Sequence, residues 1–172
     1  MRALFALLLL LPLAACDDPA VAVAPPPPAE LTAEAAGYFC QMTVLDHPGP
    51  KGQAHLLGHA APLWFSQVRD LVAFVRSGER SAEVSALYVN DMARAESWEN
   101  PGKDNWIAAD DAFYVVGAGI AGGMGAGEIV PFGTADAARA FAENKGGAVM
   151  RLADIPADAV LGAVTPVADG RN

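Results

Sequence analysis

The sequence predicts an α+β fold made of two tandem, duplicated strand-strand-helix-strand units with antiparallel sheets. The first observation is the order of segments, because strand-like and helix-like runs follow one another in the same order in residues 37–91 and 110–155. The second is a constant offset: Phe65 and Phe132, like Phe74 and Phe141, are 67 positions apart. A period that long with only two copies indicates a duplicated unit rather than a solenoid.

In the first unit, strand-like "YFCQMTVL" and "QAHLLG" come before "PLWFSQVRDLVAFVRSG", which we predict to be a helix. Apolar residues at helical spacing form one face of that helix: Trp64, Val68, Leu71, Val72 and Val75. Gly78 is expected to end it, since glycine adopts the left-handed conformation that closes many helices. The strand-like "VSALYVND" completes the unit.

The second unit repeats this plan with "AFYVVGA", "EIVPFG", the helix "TADAARAFAENKG" and the final strand "GAVMRLADI". Thr134 is the predicted N-cap of the helix, whose side-chain oxygen accepts a backbone N–H. The connection between the units is polar and rich in turns, and we expect Trp98 and Trp106 to cover the seam between them.

The chain begins with features of a bacterial lipoprotein. "MRALFALLLLLPLAAC" has a positive start, an apolar run and small residues before Cys16, which is typical of a signal peptide cleaved before a lipidated cysteine. We therefore assign residues 1–15 to the signal peptide and residues 16–36 to a lipid anchor and proline-rich tether. Residues 37–155 are the predicted folded domain, and residues 156–172 a C-terminal tail.

The net charge of −9 disfavours nucleic-acid binding, because an acidic surface repels phosphate. With Cys16 consumed by lipid, Cys40 has no partner within the chain. In an oxidising compartment such a thiol is expected to be buried, paired between chains or occupied by a metal.

Cys40 and Met42 lie two positions apart in a strand-like run, so both side chains are predicted to share one face. A thiolate with a thioether favours Cu(I), whereas Zn(II) prefers more thiolates or imidazoles. The alternative is that both residues simply fill a core.

Met124 lies among six glycines between Gly117 and Gly127. Such a run is a poor helix or central strand, so a loop that exposes the thioether is one interpretation. A flexible connection with Met124 docked on the core is the other.

His47, in the loop after the C-x-M segment, and His55, in the next strand, are the candidate imidazole donors. Neither has the spacing of a known metal motif. The serines occupy no nucleophile elbow, and no histidine follows His59 that would serve a cysteine nucleophile. The sequence therefore indicates a protein that is not an enzyme.

Taken together, Cys16, the C-x-M segment with "GPKGQ" after it, "YVND", "WIAA" and "MG" ahead of "PF" resemble the NosL family of copper-binding lipoproteins. The resemblance runs from Cys16 to about Asp154. It implies Cu(I) as cargo, held by Cys40, Met42 and Met124 on the periplasmic side of a bacterial membrane. Family members usually carry glycine where this chain has Gln41, a position expected to face away from the site.

The same resemblance implies delivery of copper for assembly of the copper-sulfide centre of nitrous oxide reductase in denitrification. The expected partner is that reductase or its membrane maturation complex of the NosDFY type. Whether the lipid anchor lies in the inner or the outer membrane is left open.

Two other functions compete with a copper carrier. One is a metal-free periplasmic scaffold of an assembly complex, with Cys40 buried. The other is a thiol enzyme resembling organomercurial lyases, which would need further cysteines that this chain lacks.

Overall fold

The computed structural model describes residues 24–78 and 80–163. The predicted signal peptide, Cys16 and most of the predicted C-terminal tail lie outside these residues. Within the described part, no helix is long and apolar enough to cross a membrane.

Two antiparallel sheets and their helices confirm the α+β class. The first unit contains β1 (Gly52–Leu56), β2 (Leu63–Phe65), α1 (Val68–Ser77), β3 (Val84–Asn90) and β4 (Trp106–Ala108). The second contains β5 (Phe113–Val116), β6 (Val130–Phe132), α2 (Ala135–Lys145) and β7 (Ala148–Met150), followed by the short helix α3 (Asp158–Leu161).

The two units share their strand arrangement. The sheet orders are β2-β1-β3-β4 and β6-β5-β7, so in each unit the first strand lies between the second and the strand after the helix. The ring centroids of Phe65 and Phe74 are 5.4 Å apart, and those of Phe132 and Phe141 are 5.1 Å apart. The residues that defined the sequence offset thus form equivalent aromatic contacts, while common descent by duplication remains a prediction.

The predicted helix of the first unit is shorter than expected, and Trp64 is not part of it. Residues 63–65 pair with β1, and Gln67 keeps an extended backbone with φ of −147° before the helix starts at Val68. The expected end is confirmed, because Gly78 has φ of 69°. In the second unit, Thr134 caps α2 as predicted by accepting the N–H of Ala137.

Two predicted boundaries need correction because chain beyond them packs on the domain. The side-chain amide of Gln53 exchanges hydrogen bonds with the backbone of Ala29 at 2.8 and 3.0 Å, and Leu31 is buried. At the other end, Arg69 donates to the carbonyls of Ala159 and Val160 in α3. The folded part therefore begins before residue 37 and continues past residue 155.

The first unit includes a strand that the sequence did not predict, because β4, in the segment predicted to connect the units, pairs with β3. Trp98 packs on the second core while its carbonyl accepts the N–H of Gly49, so it spans the seam as expected. Trp106 instead packs against Trp64 on the first sheet, with ring centroids 5.8 Å apart.

Candidate metal site

The segment that carries Cys40 and Met42 forms a turn, so the prediction of a strand there is wrong. Gly37 donates its N–H to the carbonyl of Met42 at 2.9 Å, and Gln41 donates its own to the carbonyl of Gly37 at 2.8 Å. Gln41 has φ of 56°, a conformation that glycine adopts without strain. Its side-chain amide donates to the carbonyl of Tyr38 at 2.7 Å, which stabilises the turn.

The thiol of Cys40 is partly exposed and unpaired. Its Sγ lies 3.4 Å from the Oγ of Ser66, a residue that is itself only 2% exposed. A Cβ at Gly37 would lie 2.5 Å from that Sγ and 2.8 Å from that Oγ. The absence of a side chain at Gly37 thus allows the thiol and the hydroxyl to meet.

Met42 projects from the same turn with 44% of its surface exposed. The neighbouring rings of Tyr38 and Phe39 are 40% and 55% exposed, and both also contact the buried Phe65. The surface around the thiol is therefore apolar and accessible.

Met124 lies at the tip of a short hairpin rather than in an unstructured loop. Ala121 bridges Gly127, and Gly125 donates its N–H to the carbonyl of Gly122 at 2.9 Å. The side chain of Met124 is 41% exposed. The structure thus supports the interpretation in which this segment presents a thioether to solvent.

His47 contacts the hairpin through its ring. Its Nδ1 lies 3.1 Å from the carbonyl oxygen of Gly123. A carbonyl oxygen only accepts hydrogen bonds, so Nδ1 carries the proton, and in neutral imidazole the lone pair is on Nε2. That Nε2 is buried and has no hydrogen-bond partner among the described residues.

Ser66 and Gln67, between β2 and α1, lie where the Cys40 turn, the Met124 hairpin and the His47 loop come together. Ser66 contacts Cys40 through its hydroxyl, and Gln67 accepts the N–H of Met124 at 3.2 Å. A Cβ at Gly123 would lie 2.7 Å from the Cβ of His47 and 3.2 Å from the carbonyl oxygen of Ser66. The segments that carry Cys40, His47 and Met124 therefore meet around one junction, and Met42 belongs to the same turn as Cys40.

His55, the other candidate donor, lies elsewhere. Its Nε2 is 2.8 Å from the side-chain oxygen of Gln53, and its ring packs edge-on against Tyr88. Gln53 is the residue that binds Ala29, so this face of the sheet is covered by the N-terminal segment. Burial lowers the pKa of His55, which favours the neutral ring.

Sequence reasoning missed Gln67 and the buried carboxylate beneath the hairpin, and it considered Ser66 only as a nucleophile. Glu128 is 1% exposed, and its Oε1 accepts the N–H groups of Arg69 and Ile129 at 3.0 and 2.9 Å. Its Oε2 is buried without a partner in the described chain. Burial raises the pKa of Glu128 to about 8. The one sequence feature that pointed to Glu128 was its position directly after the glycine-rich run.

The chemistry of the cluster is set by sulfur. Among residues 24–78 and 80–163, no three His, Cys, Asp or Glu side chains form a metal-binding group. The sulfur-bearing side chains on these segments are Cys40, Met42 and Met124, and thiolate and thioether donors favour soft ions.

The NosL family model matches residues 28–160 of the chain. The "Copper-binding lipoprotein NosL" of Achromobacter cycloclastes is 53% identical over 144 residues, which are 83% of this chain and 73% of the relative. The protein of the same name from Stutzerimonas stutzeri is 35% identical over 118 residues, 69% of this chain and 60% of the relative.

Solved structures give the same result for the fold. The crystal structure of the copper chaperone NosL from Shewanella denitrificans superposes with a TM-score of 0.70 at 31% identity, covering 76% of this chain and 97% of that one. The solution structure of apo-NosL from Achromobacter cycloclastes gives a TM-score of 0.50 at 52% identity, covering 69% and 93%.

Proposed function

This chain belongs to the NosL family, and we propose from that premise that it is a lipid-anchored periplasmic carrier of Cu(I). Its ion is delivered for assembly of the copper-sulfide centre of nitrous oxide reductase. The names of the relatives, copper-binding lipoprotein and copper chaperone, support a carrier rather than an enzyme.

One observation carries the proposal: the free thiol of Cys40 and the hairpin that presents the Met124 thioether both contact the junction of β2 and α1. Cys40 reaches the side chain of Ser66, and Met124 is held by the adjacent Gln67. Thiolate and thioether donors match the preference of Cu(I). In this arrangement Cys40 is the anionic ligand, and Met42 and Met124 supply neutral sulfur.

His47 is the third type of donor in the proposal. Histidines that bind metals usually donate their other ring N–H to a carbonyl or carboxylate, which fixes the tautomer. The contact of Nδ1 with the Gly123 carbonyl fits that pattern and leaves the Nε2 lone pair free of other partners in the described chain. His55 is excluded by its location, because it lies on the face of the first sheet that the N-terminal segment covers, where its Nε2 donates to Gln53.

The accessibility of the sulfur donors supports transfer rather than permanent storage. The side chains of Met42 and Met124 are 44% and 41% exposed, so an acceptor can approach the ion directly. A carrier releases its ion by ligand exchange, which requires that some ligands remain reachable by the partner.

Membrane attachment through Cys16 completes the proposal, with the reductase or its maturation complex as the acceptor. Replacing Cys16 with Ser in the full chain should move the protein from the membrane to the soluble periplasmic fraction. Mixing copper-loaded protein with copper-free reductase should build the spectrum of the copper-sulfide centre faster than an equal amount of chelated Cu(I). Equal rates would contradict directed delivery.

The decisive test is an anaerobic titration of the protein with Cu(I) against a competing chelator. Wild type should bind one ion, Cys40→Ser should lose most of the affinity, and Met42→Leu and Met124→Leu should each weaken it, since leucine keeps the volume without the sulfur. Met92→Leu, at a methionine packed in the second core, is the matched control. A folded wild-type protein that fails to compete would overturn the carrier and favour the metal-free scaffold.

A further inference from the structure

Ser66 and Gln67 are neighbours in the chain, and each touches a different ligand segment. The Ser66 Oγ lies 3.4 Å from the Cys40 Sγ, and the Gln67 Oε1 lies 3.2 Å from the backbone nitrogen of Met124. Both residues are buried, with 2% and 3% of their surfaces exposed. These two contacts connect the turn and the hairpin through one short stretch of backbone.

The orientation of the Gln67 amide is fixed at its other end. Its Nε2 donates to the Oδ1 of Asp70 at 2.9 Å, in the first turn of α1. A carboxylate only accepts, so the NH₂ group must face Asp70 and the oxygen must face Met124. The side chain thus bridges the start of the helix to the tip of the hairpin.

The base of the hairpin is bound to the same helix start. The buried carboxyl group of Glu128 accepts the backbone N–H of Arg69 at 3.0 Å, and Glu128 donates its own N–H to the carbonyl of Ile120 at 3.0 Å. A Cβ at Gly122 would lie 2.5 Å from Glu128 Oε2 and 2.7 Å from Gln67 Oε1, so the hairpin lies directly on both side chains.

We propose that Ser66 and Gln67 are positioning residues of the copper site, in which Ser66 orients the Cys40 sulfur and Gln67 holds the Met124 hairpin beside it. The junction of β2 and α1 then sets the separation of the two ligands before the ion arrives. Pre-organised ligands bind more tightly, because less conformational freedom is lost on binding. This inference rests on the proposed function, since it assigns roles around the same site.

The first measurement is the Cu(I) affinity of Gln67→Leu and Ser66→Ala by chelator competition. Loss of a residue that orients a ligand typically costs roughly 10- to 100-fold in metal affinity, and we expect losses in that range. Gln53→Leu and Ser85→Ala are the matched controls, because they remove hydrogen bonds of a buried glutamine and a serine at β1 and β3. Thermal unfolding checks that every variant is folded.

A double-mutant cycle separates positioning from a general loss of stability. If Gln67 acts by placing Met124, then Met124→Leu should reduce affinity much less in the Gln67→Leu background than in wild type. X-ray absorption at copper should report one sulfur neighbour fewer in Gln67→Leu than in wild type. Equal effects of Met124→Leu in both backgrounds, with unchanged sulfur coordination, would overturn the role of Gln67.

The role of Ser66 is tested by a second double-mutant cycle, in which Ser66→Ala is combined with Cys40→Ser. The spectroscopic measure is the thiolate-to-copper absorption band. An unaltered band and unaltered affinity in Ser66→Ala would overturn it.

A copper-independent readout is hydrogen exchange of the peptide covering residues 120–128 in the apo-protein. Exchange should be faster in Gln67→Leu and unchanged in Gln53→Leu. If wild type does not bind Cu(I), the proposed function fails, while this exchange still decides whether Gln67 holds the hairpin.

Discussion

The Nδ1 atom of His47 lies 3.1 Å from the carbonyl oxygen of Gly123, joining two loops that are 76 positions apart. His47→Ala removes this contact and the Nε2 lone pair, so Cu(I) affinity should fall about tenfold. Stability should fall by about 1 kcal/mol for the lost hydrogen bond. Chelator competition and urea unfolding measure the two effects. His59→Ala, at an exposed histidine, is the control, and equal affinities of the two variants would argue against a role for His47.

His55 should matter for stability alone. Its ring nitrogen donates to Gln53 in a buried contact, so His55→Ala removes that hydrogen bond and the packing of the ring against Tyr88. The expected loss is about 1–3 kcal/mol in the free energy of unfolding, with Cu(I) affinity unchanged. Denaturant unfolding and the competition assay measure both quantities. A drop in affinity without a drop in stability would place His55 among the ligands after all.

The glycines of the hairpin are not equivalent. A Cβ at Gly123 would lie 2.7 Å from the Cβ of His47 and 2.9 Å from the carbonyl oxygen of Pro48. A Cβ at Gly119 would meet only the carbonyl oxygen of Lys145, at an ordinary 3.9 Å. Gly123→Ala should therefore displace the hairpin and weaken Cu(I) binding by about tenfold or more. Gly119→Ala should bind like wild type, and comparable losses in both variants would refute this geometry.

Gln41 occupies a left-handed backbone position with φ of 56°. Alanine there retains the strain and loses the hydrogen bond to the Tyr38 carbonyl, whereas glycine loses the hydrogen bond and relieves the strain. Gln41→Gly should thus be more stable than Gln41→Ala by about 1 kcal/mol. Chemical denaturation of both variants tests the order. If alanine is equally stable, the turn does not hold the left-handed conformation in solution.

Glu128 should make stability depend on pH. Burial raises its pKa from 4.5 to about 8 in the folded state, so the native protein retains a proton that the unfolded chain releases. The stabilising contribution is complete below pH 4.5 and is lost as pH rises through 8. Each pKa unit corresponds to about 1.4 kcal/mol. The total loss should be on the order of a few kcal/mol.

Urea unfolding between pH 4.5 and 9 of wild type and Glu128→Gln provides the measurement. The difference between the two curves should slope across this window, because glutamine does not titrate. Asp70, whose pKa burial raises, and Lys51, whose pKa burial lowers to about 8, titrate in both proteins. Only the part of their titration that depends on their electrostatic interaction with Glu128 remains in the difference. Parallel curves would mean that Glu128 is ionised in the native state throughout.

The helix ends and the donor types were determined by local sequence. Thr134 and Gly78 mark helix ends through interactions with their own neighbours in the chain, and both were predicted correctly. The prediction of a strand over Cys40 was wrong, because whether this segment forms a strand or a turn depends on which distant residues it pairs with. Residues 36 and 37 bridge 43 and 64, and those partners are not apparent from residue type.

The sequence by itself determined which sulfur-bearing side chains are the candidates for binding copper and that they belong to an α+β chain of two similar units. Only the tertiary structure decided that the segments carrying Cys40, Met124 and His47 come together around Ser66–Gln67, and that His55 lies elsewhere. The physical reason is that the deciding contacts are single hydrogen bonds and close packing between residues 26, 57 and 76 positions apart. Such contacts depend on where the chain brings distant segments together, which local periodicity does not specify.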